Sequence, residues 1–356
     1  MRFPEFSEPW EQKNIGTILT IGNGKDYRKL GHGDIPVFGT GGYIASVNDC
    51  LMDGESVFIG RKGTINKPFY YKGKFWTVDT LFFTHTFNGV IPKFVLYLFE
   101  NINWLNYNEA SGVPSLSKSS IEKIRVNLPH IDEQSKIVDF LGLLDRHISV
   151  QNKIIEDLRQ LKSALVERLY GQHNPNYRIG DLVVQVSERN RSDNNYSVLS
   201  VNNRLGFIEQ SEQFEDRSVA SDDTSNYKVV SRNDFAYNPA RINVGSIARL
   251  TSYENGIVSP MYICFHTKKH ILPQYLEHFF NTCYFQNEMQ KRLEGSVRLC
   301  LSWEGLCNIP IAMPPIEQQE KVGKRISLLA DKIELEVSHL NLLNTQKQYL
   351  LQAMFI

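Results

Sequence analysis

Two segments of the chain share a long heptad pattern of apolar residues. In residues 128–171 and 313–356, apolar side chains recur in alternating steps of four and three over more than four heptads. The pattern predicts two long amphipathic helices with one apolar seam each. The seam residues, which we expect to pair the helices, are Ile137, Leu141, Leu144, Ile148, Ile155, Leu158, Leu165, Val322, Ile326, Leu329, Ile333, Leu340, Leu343 and Leu350.

The two segments align without a gap at an offset of 185 residues, so the chain contains an internal repeat. The polar interruptions of the seams also match, with Gln151 aligned on Glu336 and Lys162 on Lys347. Matched polar positions of this kind set helix register, which favours pairing of the two helices with each other. We expect an antiparallel coiled coil with pseudo-twofold symmetry and one globular module at each end. The alternative is two unrelated helices, each packed on its own domain.

The residues ahead of each helix have the pattern of mixed α/β modules. Segments such as ESVFIGRKG, WTVDTLFFTH, GSIARL and IVSPMYICFH are rich in strand-forming residues between turn residues. A proline at the first turn predicts a helix at Pro92–Phe99 and another at Pro273–Phe280. The predicted domains are residues 1–128, 129–172, 173–312 and 313–356, in the order module, helix, module, helix.

Composition places the chain among ordinary globular proteins. Of its 356 residues, 42% are hydrophobic and 22% are charged, which excludes wholesale disorder. The N-terminus lacks the layout of a signal peptide, and the 5 cysteines form no CxxC pair, so we expect a cytoplasmic protein. The 39 basic residues balance the 39 acidic ones. A nucleic-acid-binding function would therefore need a local phosphate contact or one supplied by a partner.

Catalytic motifs are missing from the sequence. The segment Gly60–Thr64 has the residue types of a Walker A loop in the wrong order, and Phe38–Gly42 lacks the spacing of a cofactor-binding glycine loop. His266 and His270 are four residues apart, but the sequence offers no evident third metal ligand. We therefore predict no catalytic residue and no metal site.

At the junctions between modules and helices, the segments LPHIDEQSKIVDFLGLLD and MPPIEQQEKVGKRISLLAD resemble those of the specificity (S) subunits of type I restriction–modification systems. First-module segments such as IPVFGTGGYIAS and ASGVPSLSKSSIEKIRVNLP are similar to the same family. The second module shares mainly the YNPARINVGSIA and SVRLCLSWEGLCNIPIAMP type of segment.

The resemblance implies a non-catalytic DNA-binding subunit with two target recognition domains in tandem. Each domain would read one half of a bipartite, asymmetric site in double-stranded DNA. The paired helices would set the spacer between the halves and dock two adenine-methyltransferase (modification) subunits. Restriction subunits would add translocation and cleavage. S-adenosylmethionine, ATP and Mg²⁺ would belong to these partners, and this chain would bind no cofactor.

Candidate DNA-binding residues are hydrogen-bonding side chains on predicted loops, because arginine and amide side chains read base edges. In each case a solvated surface residue or a phosphate contact is the alternative. The candidates are Thr40, Tyr43, Ser46, Arg61, Lys62, Lys67 and Lys74 in the first module, and Asn202, Asn203, Arg204, Tyr237, Asn238, Arg241, Asn243 and Arg298 in the second.

Two other function classes stay open. An autonomous DNA methyltransferase or nuclease would need motifs that the sequence lacks. A coiled-coil scaffold without DNA binding would leave the two loop-rich modules without a role.

Overall fold

The structure is a computed structural model, and it describes residues 1–191, 196–203, 205–210, 224–296 and 298–355. The chain forms two compact units. Unit 1 contains Met1–Lys153 and Ser338–Ile356, and unit 2 contains Ile154–Val337. Each unit therefore takes one part of each long helix. The predicted domain boundaries, which treat each helix as a domain of its own, stay a prediction.

Unit 1 is built on a six-stranded sheet with the strand order β2-β7-β5-β6-β3-β4. Only the β3–β6 pair is parallel. Phe38 of β3 packs against Phe58 of β5 and Phe69 of β6, so aromatic residues fill one face of the sheet. The strands are β2 (Thr20–Asn23), β3 (Ile35–Gly39), β4 (Gly42–Val47), β5 (Met52–Gly60), β6 (Phe69–Thr77) and β7 (Leu81–His85).

The predicted helix at Pro92 forms in unit 1 and extends to Asn101, because proline fits the first helical turn. Its apolar face lies in the main core of the unit, together with the beginning of the first long helix. A two-stranded sheet of β1 and β8 completes the unit next to that helix. The remaining elements are β1 (Glu11–Asn14), α1 (Ile15–Ile18), α2 (Pro92–Asn101), a 3₁₀ turn (Trp104–Tyr107), α3 (Lys118–Glu122) and β8 (Arg125–Leu128).

Over its described residues, unit 2 contains two four-stranded sheets, in the orders β10-β17-β14-β15 and β12-β11-β16-β13, and the strand pair β9–β18. The rings of Phe235 and Phe265 stack at 5.1 Å in its core. The strands are β9 (Tyr177–Arg178), β10 (Val183–Val186), β11 (Val198–Asn202), β12 (Gly206–Glu209), β13 (Lys228–Ser231), β14 (Phe235–Tyr237), β15 (Ile247–Arg249), β16 (Asn255–Val258), β17 (Ile263–Thr267) and β18 (Pro310–Ile311).

The helices that the described part of unit 2 contains are short, apart from its parts of the long helices. The second proline-initiated helix forms at Pro273–Phe279, as predicted. The elements are α5 (Ile179–Leu182), a 3₁₀ turn (Ile242–Val244), α6 (Pro273–Phe279), α7 (Cys283–Gln290) and α8 (Trp303–Cys307).

The two heptad segments form the long helices α4 (Ile131–Tyr170) and α9 (Ile316–Met354). In unit 1, Ile137 and Leu141 near the beginning of α4 share a core with Leu350 near the end of α9. In unit 2, Leu169 near the end of α4 shares a core with Ile326 near the beginning of α9. The helices are therefore antiparallel within each unit. Every residue of the predicted seams is buried or half-buried. The predicted class, tandem α/β modules with long helices, is confirmed.

A buried glutamine joins each module to its long helix. Gln134 accepts a hydrogen bond from the Ile91 amide and donates to the carbonyl oxygens of Gly89 and Pro129, at 2.9–3.0 Å. In unit 2, Gln319 makes the same three kinds of hydrogen bond, with the Leu272 amide and the carbonyl oxygens of His270 and Pro314. The internal repeat therefore extends to these side-chain contacts.

Candidate nucleic-acid interface

Unit 1 brings two loops together at the end of β5. The amide of Leu116 donates to the carbonyl oxygen of Arg61 at 2.9 Å, and the Gly63 amide donates to Pro114 at 2.8 Å. The second loop closes on itself, since the Glu109 amide donates to the Ser115 carbonyl oxygen at 3.0 Å. These backbone hydrogen bonds fix the two loops relative to each other.

Unit 2 brings the equivalent loops together with hydrogen bonds equivalent to two of these three. The Leu301 amide donates to the carbonyl oxygen of Pro239 at 3.0 Å, and the Glu294 amide donates to Cys300 at 2.9 Å. In both units a serine directly after the second loop caps a short helix. Ser117 accepts from the Ser120 amide and Ser302 from the Gly305 amide, both at 3.1 Å. The two units thus share one construction at this place.

The loops of unit 1 line a cleft of about 480 Å³. Arg61 and Lys62 are exposed in it, and the Arg61 guanidinium lies 5.8 Å from the centre of the Phe82 ring. The Arg61 side chain also donates a long hydrogen bond of 3.4 Å to the carbonyl oxygen of Asp79. Contacts this weak leave most of its five donors available to a ligand.

The corresponding cleft of unit 2 has a volume of about 770 Å³. Its lining includes Asn238, Arg241, Asn243 and Arg298. A neighbouring pocket of about 330 Å³ shares Asn238 and Arg241 with it and adds Asn202 and Asn203. Amide and guanidinium groups are the side chains that hydrogen-bond base edges, so this lining suits a nucleic acid.

The structure brings together some of the residues predicted for the first module and separates others. Thr40 lies beside the Arg61 loop, because a methyl group on Gly63 would be 3.7 Å from its Oγ1. Tyr43 and Ser46, on the same hairpin as Thr40, hydrogen-bond each other at 3.0 Å. Lys67 is exposed in the β5–β6 loop. The remaining candidate, Lys74, lies on β6 opposite Asp53 in the strand register. Asp53 is near the beginning of β5, whereas Arg61 follows the end of that strand.

Among the residues predicted for the second module, Tyr237 is wrong. Its side chain is fully buried, and its hydroxyl donates to the carbonyl oxygen of Leu301 at 3.3 Å. Tyr237 is the last residue of strand β14, all three residues of which are buried, so it is a core residue and not a loop residue. Arg204 lies outside the described residues. The assignment of the other residues to DNA binding stays a prediction.

A basic loop near the cleft of unit 1 escaped the sequence analysis. Lys25, Arg28 and Lys29 are exposed, and they form no ion pair with the described residues. The Lys25 amide donates to the Thr77 carbonyl oxygen at 2.8 Å, while the Arg61 amide donates to that of Thr80, so both loops lie against the β6–β7 connection. The signal was present in the letters GKDYRKL, where three of seven residues are cationic.

Within the described residues, no group of three or more histidine, cysteine, aspartate or glutamate side chains could hold a metal ion. Over the same residues, no helix has the length and apolarity needed to span a bilayer.

Comparison with known proteins shows what the chain is similar to. Residues 7–160 match the family model of the type I restriction modification DNA specificity domain. The type I restriction enzyme MjaVIII specificity subunit of Methanocaldococcus jannaschii is 23% identical over 336 residues, covering 82% of this chain and 75% of that protein. The resemblance to type I specificity subunits is confirmed. The putative MjaX specificity subunit of the same organism is 22% identical over 360 residues, covering 90% of this chain and 81% of that protein.

Solved structures from type I restriction–modification systems share the fold. The S subunit from M. genitalium superposes with a TM-score of 0.61 at 14% identity, covering 100% of this chain and 99% of that one. A chain from a structural study of complex assembly and conformational transition of the type I R-M system superposes at 0.60 with 13% identity, covering 99% and 98%. At these identities the likeness concerns the fold alone.

Proposed function

We propose that this chain is the non-catalytic DNA specificity subunit of a type I restriction–modification complex. In this proposal each module reads one half of a bipartite, asymmetric DNA site. The observation that carries it is the repeated cleft, which has one backbone construction in both units and different side chains in each. Two such clefts suit two unlike half-sites, whereas identical modules would read a palindrome.

In the same proposal the long helices set the spacer between the half-sites and dock two modification subunits. A second apolar stripe on α9 supports docking: Leu328, Leu335, Leu342 and Tyr349 recur every seven residues and are 61–69% exposed. On α4, Leu143, Val150 and Leu161 are 56–58% exposed. Apolar heptad positions left in solvent are typical of a helix that receives another helix.

We further propose that this cytoplasmic chain binds no cofactor and that S-adenosylmethionine, ATP and Mg²⁺ act on the partner subunits. An autonomous methyltransferase or nuclease is the second candidate. It is tested by incubating the purified chain alone with labelled S-adenosylmethionine, Mg²⁺ and DNA. Methyl transfer or cleavage without partner subunits would favour that candidate over a specificity subunit.

The decisive experiment maps methylated adenines across the host genome with and without the gene for this chain. The proposal expects one bipartite motif to lose methylation when the gene is deleted. An unchanged methylation map, with the modification subunit still expressed, would contradict it. A DNA titration at fixed salt should also show a much lower Kd when modification subunits are present.

A further inference from the structure

One structurally equivalent position holds different residues in the two clefts. This difference bears on which bases each half-site contains. The repeat offset of 185 residues aligns Val113 with Arg298. The structure supports the alignment independently, because both residues lie between the same pair of backbone contacts. These contacts are Glu109 to Ser115 and Leu116 to Arg61 in unit 1, and Glu294 to Cys300 and Leu301 to Pro239 in unit 2.

Val113 and Arg298 both lie on loops whose conformation is fixed by local contacts. In unit 1, the Asn108 side-chain oxygen accepts from the amides of Ala110 and Ser115 at 3.1 and 2.9 Å, which ties the loop together on either side of Val113. In unit 2, Gly295 has a φ of 114°, and a Cβ there would lie 2.3 Å from the carbonyl oxygen of Arg298. Only glycine lets the loop close this tightly on Arg298.

Both side chains also lack a structural role. Val113 is 56% exposed although it is apolar, and it lines the cleft of unit 1. Arg298 is exposed in the cleft of unit 2, and its guanidinium makes no hydrogen bond or ion pair with the described residues. A residue that contributes little to folding and faces a proposed binding cleft is available for recognition.

Building on the proposed function, we propose that Val113 and Arg298 are equivalent specificity-determining residues, one for each half-site. Arg298 hydrogen-bonds the O6 and N7 acceptors of a guanine in the major groove. Val113 has no donor and contacts the C5-methyl group of a thymine at the corresponding place in the other half-site. One position in a shared loop thus helps to make the two half-sites unlike.

The test uses the full chain assembled with its modification subunits and a library of DNA duplexes randomised at both half-sites. Methylated duplexes are sequenced for wild type, Arg298→Ala and Val113→Ala. Arg298→Ala should lower discrimination about 5- to 150-fold at one guanine of one half-site and leave the other half-site unchanged. Val113→Ala should lower the preference for one thymine of the other half-site, on the order of fourfold for a lost methyl contact.

Matched controls are Arg125→Ala and Val184→Ala, two exposed residues that line neither cleft, and both should keep the wild-type motif. The reciprocal variant Val113→Arg should gain a guanine preference in the first half-site. Uniform weakening over all sequences by Arg298→Ala, with a salt dependence reduced by about one phosphate contact, would overturn the inference. Absence of any motif in the wild-type complex would instead reject the proposed function.

Discussion

Lys347 shows how a charged residue is accommodated in an apolar helix seam. Its ammonium lies 2.8 Å from a carboxylate oxygen of Asp145 and 2.8 Å from one of Glu100, and 5.5 Å from the centre of the Tyr97 ring. Tyr97 in turn donates to Asp145 at 2.6 Å. Burial lowers the pKa of Lys347, but its hydrogen bonds to the two carboxylates more than offset this and raise it.

The same seam position in unit 2 has different surroundings. His278, which follows Leu272 by the six residues that separate Tyr97 from Ile91, is half-buried there. Burial, together with the charges of Lys162 and Arg249, lowers the pKa of His278 to about 4, so its ring is neutral near pH 7. Lys162 therefore lies near the neutral ring of His278. Its counterpart Lys347 instead contacts the carboxylates of Glu100 and Asp145.

We expect Lys347→Met to destabilise the chain by about 2 kcal/mol at pH 7, because it leaves two half-buried carboxylates without their cation. Burial already raises the pKa of Glu100 above its usual 4.5. A raised carboxyl pKa makes ionisation unfavourable in the fold, so the deficit is present above that pKa and shrinks as the pH falls through it. Urea unfolding of variant and wild type across pH measures the difference.

The matched control is Lys324→Met on the same helix, since Lys324 is exposed and forms no ion pair with the described residues. It should change the free energy of unfolding by less than about 0.5 kcal/mol. Glu100→Gln in the Lys347→Met background should restore part of the loss at pH 7. A deficit that is the same at acidic and neutral pH would exclude the charge-based explanation.

At the scale of elements, the basic loop of unit 1 is held by apolar packing that leaves its cationic side chains exposed. Tyr27 and Leu30 pack into a cluster with Val37, Val47 and Trp76, and this packing leaves Arg28 and Lys29 exposed. Trp76 also donates to the Lys25 carbonyl oxygen at 2.8 Å. Under the proposed function, such a loop offers the local phosphate contact that a chain of zero net charge requires.

We expect the double variant Arg28→Gln/Lys29→Gln to weaken binding to all DNA sequences alike. Each lost phosphate contact should reduce the slope of log K against log salt by about 0.9, so the double variant should lose about 1.8. Titrations of the assembled complex at several salt concentrations measure the slope. Arg125→Gln is the control and should keep it. A lost base preference with an unchanged slope would assign the loop to base reading instead.

The exposed stripe of α9 makes a separate prediction about partner binding. Leu335→Gln/Leu342→Gln should leave the free energy of unfolding almost unchanged, because both side chains are already 67–69% exposed. Binding of the modification subunit should weaken at least about tenfold, since two apolar contacts are lost. Calorimetric titration measures the affinity, and Leu105→Gln, an equally simple change at a residue 56% exposed, is the control. Full affinity of the double variant would exclude this stripe as the docking surface.

The sequence predicts the long helices and the proline-initiated helices well, because heptad periodicity and proline positions are local signals. It could not predict that Leu116 hydrogen-bonds Arg61, since this contact joins loops 55 residues apart. Tyr237 was assigned to the DNA interface for a related reason. Its neighbour Asn238 is half-exposed, and Tyr237 is buried by contacts with residues that are distant in the sequence, Phe265 and Leu301.

For the whole molecule, the proposed role of α4 and α9 predicts that longer helices require a longer DNA spacer between the half-sites. Inserting one heptad in register near the middle of both helices adds about 10 Å, or about three base pairs of duplex DNA. The preferred spacer should lengthen accordingly while both half-sites stay the same. Methylation mapping measures the motif, and an insertion into one helix alone is the control that should disrupt assembly. A variant that retains the original spacer would show that the helices do not set it.

The glutamine joints have an implication for how such chains diversify. Among the described residues, the Gln134 and Gln319 side chains hydrogen-bond only backbone amides and carbonyl oxygens, and every residue type except proline offers both groups. Loop side chains can therefore mutate freely without loosening the attachment of a module. Under the proposed function, the DNA sequence that a module reads can therefore change in evolution while the attachment of the module to its long helix is kept.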